Sequence, residues 1–189
     1  FMREIYREIY TDLSYGIKGV SFFQNVMHQY LEKPYSREDY FDSVLEVGAG
    51  SGEHFKYIRH KFGSYVMLDK NPDVDLVRKR FKTDSLSFVK ANVESIPFPK
   101  ESFDRVISTC LLHHLLNPEN ALNEIRRVMK TGGQFDLLVP TDPGLTFRLA
   151  RNIQYLYLRK AGYSNIKKLI DARDHRNHYW SLLHLVKHA

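Results

Sequence analysis

A chain of 189 residues, 43% hydrophobic and 26% charged, carries enough apolar side chain for one packed core, and its length suits a single domain. No stretch approaches the roughly 20 apolar residues of a membrane-spanning helix, and Phe1-Met2-Arg3-Glu4 leads into charged, aromatic-rich sequence rather than a secretory signal, so a cytoplasmic location is expected. The net charge of +6 suits an anionic partner, and the single cysteine, Cys110, excludes an intramolecular disulfide.

In chain order, residues 2 to 32 read as helical, with Ile5, Ile9, Leu13, Phe22, Phe23, Val26, Met27 and Tyr30 at helix-like spacing, broken into two helices at Gly16 and Gly19. Pro34 and Ser36-Arg37-Glu38-Asp39 mark a connection. From Ser43 short apolar runs alternate with amphipathic stretches, the pattern of βα units on a parallel sheet covered on both faces. The expected strands are Val44–Val47, Tyr65–Leu68, Ser87–Lys90, Arg105–Cys110 and Gln134–Val139. Helices are expected over Glu53–Lys61, Val74–Phe81 and Glu119–Met129, with Pro72 in the first turn of the second and Gly132-Gly133 stopping the third. The fold class that follows is α/β, a doubly wound, mostly parallel sheet. After Pro140 the rhythm changes to two helical stretches, Thr146–Lys160 and Trp180–His188, around a charged loop.

The first strand runs directly into Gly48-Ala49-Gly50-Ser51-Gly52, where three glycines let the backbone approach a ligand at the head of the following element. That is a nucleotide-type loop. A dinucleotide dehydrogenase wants Gly-x-Gly-x-x-Gly, and Glu53 occupies its last position, which counts against a nicotinamide cofactor. Asp69 ends the second strand roughly twenty residues past the loop, where a carboxylate can accept hydrogen bonds from both ribose hydroxyls. Further on come Ala91-Asn92-Val93-Glu94-Ser95-Ile96-Pro97-Phe98-Pro99 with Ser102-Phe103-Asp104, and then Ile107-Ser108-Thr109-Cys110-Leu111-Leu112-His113-His114-Leu115. Nine histidines show no ligand spacing with a glutamate between a pair, so no metal site is expected.

In that order, over residues 43 to 140, these motifs resemble the class I S-adenosylmethionine (SAM)-dependent methyltransferases, especially the small-molecule group that includes the ubiquinone and menaquinone biosynthesis enzymes. The resemblance implies SAM as cofactor. It implies that Glu46 closes the first strand and orders the loop, that Gly48, Ala49 and Gly50 pass beside the methionine portion, and that Asn92 and the Val93 backbone meet adenine. An aspartate usually stands where this chain has Asn92, but an amide oxygen can still accept from the adenine amino group. Thr109 and the residues after it would wall cofactor from acceptor, with His113 or His114 as a candidate general base. The stretch from Ile107 lacks the Asn/Asp-Pro-Pro-aromatic signature of amino-methylating nucleic-acid enzymes, so a nucleic-acid partner is not expected. A complete sheet of this family would add two more strands, which are not evident after Pro140.

The expected organisation is therefore one domain over 1–189: an N-terminal helical lid over 1–42, a SAM-binding core over 43–140 and a helical acceptor side over 141–189. On the acceptor side Arg148 and Arg151 could hold an anionic group, and the loop containing His175 and His178 could touch substrate. Tyr155, Tyr157 and Leu158 could line an apolar pocket or make a transient membrane contact. Tyr6, Tyr10 and Tyr15 are candidate lid contacts. The function expected is methyl transfer from SAM to a small anionic metabolite, sugar or lipid-linked intermediate, with oxygen favoured. The alternatives are a non-catalytic SAM-binding partner or sensor and an RNA methyltransferase.

Overall fold

In the computed structural model, residues 18–71, 74–81, 83–140, 152, 155–156 and 177–188 are described. Helix α1 (Lys18–Leu31) leads into strand β1 (Tyr40–Val47), a single 3-10 turn at Phe55–Tyr57 and strand β2 (Lys61–Asp69). Helix α2 (Val74–Arg80), strands β3 (Leu86–Lys90) and β4 (Phe103–Thr109), a second 3-10 turn (Leu112–His114), helix α3 (Pro118–Val128), strand β5 (Met129–Leu138) and helix α4 (Tyr179–His188) follow. The strands form one sheet in the order β3-β2-β1-β4-β5, with every neighbouring pair parallel. Parallel neighbours need crossovers, and covering both faces explains why Tyr65–Leu68 reads as a continuous apolar run and Val44–Val47 as one interrupted only by Glu46.

Strand alternation divides the core into two layers. Leu45, Val47, Val66, Leu68 and Val106 face one side, where α3 presents Ala121, Leu122, Ile125 and Val128 and α4 presents Leu182. Val44, Tyr65, Met67 and Ile107 face the other, against Val77 of α2 and the aromatic rings of Phe55, Phe62 and Phe81. Each fully buried side chain of this kind contributes roughly 1.5–3 kcal/mol. Helix α3 forms because its apolar residues recur at i, i+4 and i+7, with Pro118 in its first turn and Glu124 bonded to Arg127.

Three local expectations are corrected. The helix expected over Glu53–Lys61 is only the 3-10 turn, because Ile58 is already extended and Lys61 belongs to β2, its N–H donating to Asp39 O at 2.9 Å. Gly19 lies inside α1 instead of breaking it, and Gly16 lies outside the described residues. Gly132 and Gly133 do not stop α3, which ends at Val128; they bend the start of β5, Gly132 at φ +78°, where the register against β4 shifts between Phe103 and Arg105. The same irregularity turns Phe103 to the α3 side while Arg105 points to the opposite one. Of the expected helix Thr146–Lys160, only Asn152, Tyr155 and Leu156 are described, and all three are helical.

Arg105 is fully buried, and its guanidinium joins β4 to α1 and β5. Removing it leaves two carboxylates, Glu32 and Asp136, without their counter-charge in the interior. Replacement of Arg105 by Ala should therefore cost about 3–5 kcal/mol in urea unfolding. A loss under about 1 kcal/mol would mean that those carboxylates are solvated in spite of their burial.

Candidate functional site

All the expected cofactor residues that are described lie along one edge of the sheet, at the carboxyl ends of β1 to β4. The loop is set first by backbone bonds: Gly48 and Ala49 donate to Leu68 O at 2.7 and 3.2 Å, and Gly52 to Ala49 O at 2.8 Å. Gly50 adopts φ +51° and a Cβ there would meet nothing within 4 Å, so its face opens on free space. Gly48, at φ +72°, is closed in, since a Cβ would come within 2.9 Å of the Leu111 side chain. Asp69, at the end of β2, receives Gly50 N–H on one carboxylate oxygen at 3.0 Å and Asn71 N–H on the other at 2.7 Å. Ala91 N–H donates to Asp69 O at 3.0 Å, which brings the segment after β3 alongside.

In that segment Asn92 is exposed, its amide oxygen accepting Glu94 N–H at 3.3 Å, and Val93 is buried in the core. Helix α3 braces the same stretch. Glu124 accepts Ile96 N–H at 2.8 Å, and the Arg127 guanidinium donates to Ile96 O and Phe98 O, both at 2.8 Å. Glu46 is buried, its carboxylate accepting the Tyr65 hydroxyl at 2.8 Å, and burial pushes its pKa up. Asp104 is structural, accepting the Ser43 N–H and hydroxyl and the Lys130 ammonium.

The wall after β4 begins with half-buried Thr109. Cys110 follows at φ +53°, a left-handed conformation that costs a non-glycine residue roughly 1–2 kcal/mol. It is held by its N–H donating to Leu138 O at 2.8 Å, and it delivers Leu111 to Gly48. Burial raises the Cys110 thiol to about 11, so it stays protonated. His113 is buried and His114 half-buried, their rings 3.8 Å apart. Asn177 clamps this turn to the approach of α4, donating to Leu112 O, Leu115 O and, through its N–H, His113 O. His178 is exposed just before α4; Arg148, Arg151, His175, Tyr6, Tyr10 and Tyr15 lie outside the described residues. A concavity of about 530 Å³ at the opposite end of the sheet, lined by Lys100, Glu101, Arg126, Arg127, Lys130 and Gly132, includes none of the expected cofactor residues.

Residues 45–137 match the methyltransferase domain family. The chain is 35% identical over 95 residues to a fatty-acid O-methyltransferase of Mycolicibacterium smegmatis, covering 49% of this chain and 35% of that one. It is 32% identical over 112 residues to a ubiquinone/menaquinone biosynthesis C-methyltransferase of Hahella chejuensis, covering 53% and 45%. A SAM-dependent methyltransferase structure from Thermotoga maritima superposes with a TM-score of 0.64 at 19% identity over the whole of this chain and 80% of that one, a likeness of fold. Residues 45–137, just under half of the chain, carry the methyltransferase-domain match, and the sheet around them has the fold of that Thermotoga maritima structure. SAM is the cofactor this match implies, and the chain spans less than half the length of these curated relatives.

The fold also holds a buried polar network that the motif reading missed. The Arg105 guanidinium donates to both Glu32 oxygens, at 2.6 and 3.3 Å, and to Asp136 at 2.7 Å, and its carbon lies 3.9 Å from the centre of the Tyr35 ring. Tyr35 donates its hydroxyl to Asp136 at 2.6 Å. His54, just past the glycine loop, donates Nε2–H to Glu32 at 3.0 Å, and its Nδ1 lies 3.0 Å from His28 Nδ1. The signal was present in the sequence: an arginine inside the apolar strand of β4 and an aspartate inside that of β5 must find partners if both faces are covered.

Burial would raise the Glu32 carboxyl, but the hydrogen bonds from His54 and Arg105 outweigh it and hold the pKa at about 2, below the ordinary 4.5. Burial, with the nearby His54, lowers His28 from 6.5 to about 4. Both folded values lie below the unfolded ones, so the unfolded chain takes up protons first and acid weakens the fold. His28's contribution is complete above pH 6.5 and lost on the way to about 4; Glu32's is complete above 4.5 and lost towards about 2. Urea midpoints should fall between pH 7 and 4.5, and His28→Gln should flatten that limb. A flat wild-type profile over this range would show that His28 is not buried in its neutral form.

Proposed function

We propose that the chain catalyses methyl transfer from SAM to a small-molecule or lipid-linked acceptor carrying an anionic group, with oxygen the favoured atom. One observation carries this reading: a glycine loop open at Gly50, with the Asp69 carboxylate bonded beneath it, lies within the segment that matches the methyltransferase domain. The residues fit the cofactor. Gly48, Ala49 and Gly50 present backbone with no side chain at the open position, as a methionine portion requires, while the Glu46 carboxylate is bonded to Tyr65 of the neighbouring strand. Each Asp69 oxygen has a second lone pair beyond its backbone bond, so the carboxylate can still accept ribose hydroxyls. Asn92 and the Val93 backbone take the adenine edge, and Thr109 stands at the wall towards the acceptor.

Bound SAM supplies a methyl carbon on a sulfonium, and transfer is an in-line displacement in which alignment of the two reactants supplies much of the rate. The chain's own part is to hold that alignment and to keep water out. His114, half-buried beside His113, is the better placed of the two imidazoles to take a proton from an acceptor hydroxyl near neutral pH. Arg148, Arg151, His175 and His178 form the acceptor side in this reading, with residues 1–42 as the lid and the basic charge favouring an anionic group. Relatives that act on fatty acids and quinone precursors support a lipid-like acceptor. Among the described residues no helix is long and apolar enough to cross a membrane, so contact with such an acceptor at a bilayer would be peripheral.

Calorimetry with S-adenosylhomocysteine should show binding to the chain, and Asp69→Ala should weaken it by about ten- to a hundredfold, the worth of one or two charge-assisted hydrogen bonds. Unchanged affinity in a folded Asp69→Ala variant would remove Asp69 from the ribose site. With labelled SAM, a panel of fatty acids, hydroquinones and anionic sugars should yield a methylated product. Tight binding with transfer to none of them would favour a SAM-binding sensor.

A further inference from the structure

Only one 3-10 turn, Phe55–Tyr57, follows the glycine loop, so no ladder of helical hydrogen bonds runs back to hold residues 51–54. Beside two backbone bonds, Gly52 N–H to Ala49 O at 2.8 Å and Tyr57 N–H to His54 O at 2.9 Å, side chains hold them on two sides. Outward, Glu53 accepts Lys56 Nζ at 3.1 Å and pairs with Arg80, but the Lys56 and Arg80 side chains are 43% and 39% exposed, and solvent screens both bonds. Inward, His54 and Glu32 are sealed from solvent. The Glu32 carboxylate is fixed by the Arg105 fork, and Arg59 N–H adds a contact at 3.4 Å. His54 therefore meets a rigid acceptor in a place where water cannot replace a lost bond.

Just one residue separates His54 from Gly52, which leaves no slack: a Cβ on Gly52 would come within 3.2 Å of Met67 and Val77. At the other end of the link, Glu32 directly follows α1, and His28, one turn back, stacks on Tyr57 with ring centres 5.3 Å apart. Tyr57 in turn bonds Asn25 of the same helix. The turn after the loop is thus docked on the carboxyl end of α1 rather than on a helix of its own.

We propose that Glu32, acting through His54, is a positioning residue for SAM: it fixes the turn that follows the glycine loop and makes cofactor affinity depend on the seating of α1. The proposal rests on the glycine loop being the SAM site. Linkage makes the effect reciprocal, so a ligand bound at the loop tightens the carboxyl end of α1 to the same extent.

The test is S-adenosylhomocysteine affinity of the full chain, measured well below the unfolding temperature. His54→Phe keeps the ring volume and removes the bond, and His54→Asn places its amide too short to reach; both should raise Kd about tenfold or more. His54→Gln, whose amide nitrogen can overlay Nε2, should bind within about twofold of wild type, a rescue that loss of packing alone would not produce. Hydrogen exchange on the wild type keeps the idea testable if the first two variants do not fold: ligand should slow exchange at residues 28–32 as well as at 48–54. Wild-type affinity in folded His54→Phe or His54→Asn, or protection confined to 48–54, would overturn the coupling and leave the SAM assignment standing. Failure of the wild type to bind S-adenosylhomocysteine would overturn both.

Discussion

The buried guanidinium of Arg105 is the interaction on which the arrangement of this domain turns. An arginine in the middle of a central strand carries an obligatory charge into a region that water does not reach, and that charge must be matched. Glu32 and Asp136 match it from α1 and β5, and the Tyr35 and Phe41 rings cover it at 3.9 and 5.8 Å. Because the guanidinium fork is planar and directional, it fixes where α1 ends as well as attracting it. His54 then attaches to the same carboxylate, so the strand, the first helix and the turn after the cofactor loop share one anchor.

The cofactor edge depends on a different economy of space. Five parallel strands bring their carboxyl ends to one side, and the polar groups gathered there, Asp69 and Asn92 among them, are separated in sequence but adjacent along the edge. The left-handed Cys110 directs Leu111 onto Gly48, while Gly50 is left facing space. Strain at one corner and emptiness at another therefore shape the same groove, with the Asn177 clamp holding the turn that carries His113 and His114.

Much of this was legible in the order of residues. The mostly apolar runs at β1, β2 and β4 and the helix at α3 follow from periodicity, since a strand buried on both faces is apolar except where a polar group such as Arg105 finds a partner. The glycine loop at residues 48–52 was legible because a tight turn with left-handed backbone demands glycine, and Asp69 because it ends the second apolar run, where the structure bonds it to the loop through Gly50 N–H. The helix after the loop was misjudged for a physical reason: Glu53–Lys61 has adequate helical pattern, but pairing of Lys61 in β2 and docking of His54 on Glu32 use those residues otherwise. Gly132 and Gly133 were read as a helix stop, although the helix had already given way to a bent strand lead-in.

What the sequence determined by itself is the class of the core and the chemical type of its cofactor, because both are written in short-range patterns: alternation, glycines and an acid at fixed spacing. The tertiary structure alone decided that Glu32, His54, Arg105 and Asp136 form one buried unit, although Glu32 and Arg105 stand 73 positions apart in the chain. No local rule predicts which distant carboxylate meets a buried guanidinium. That choice follows from strand order and from the direction in which each side chain leaves the sheet.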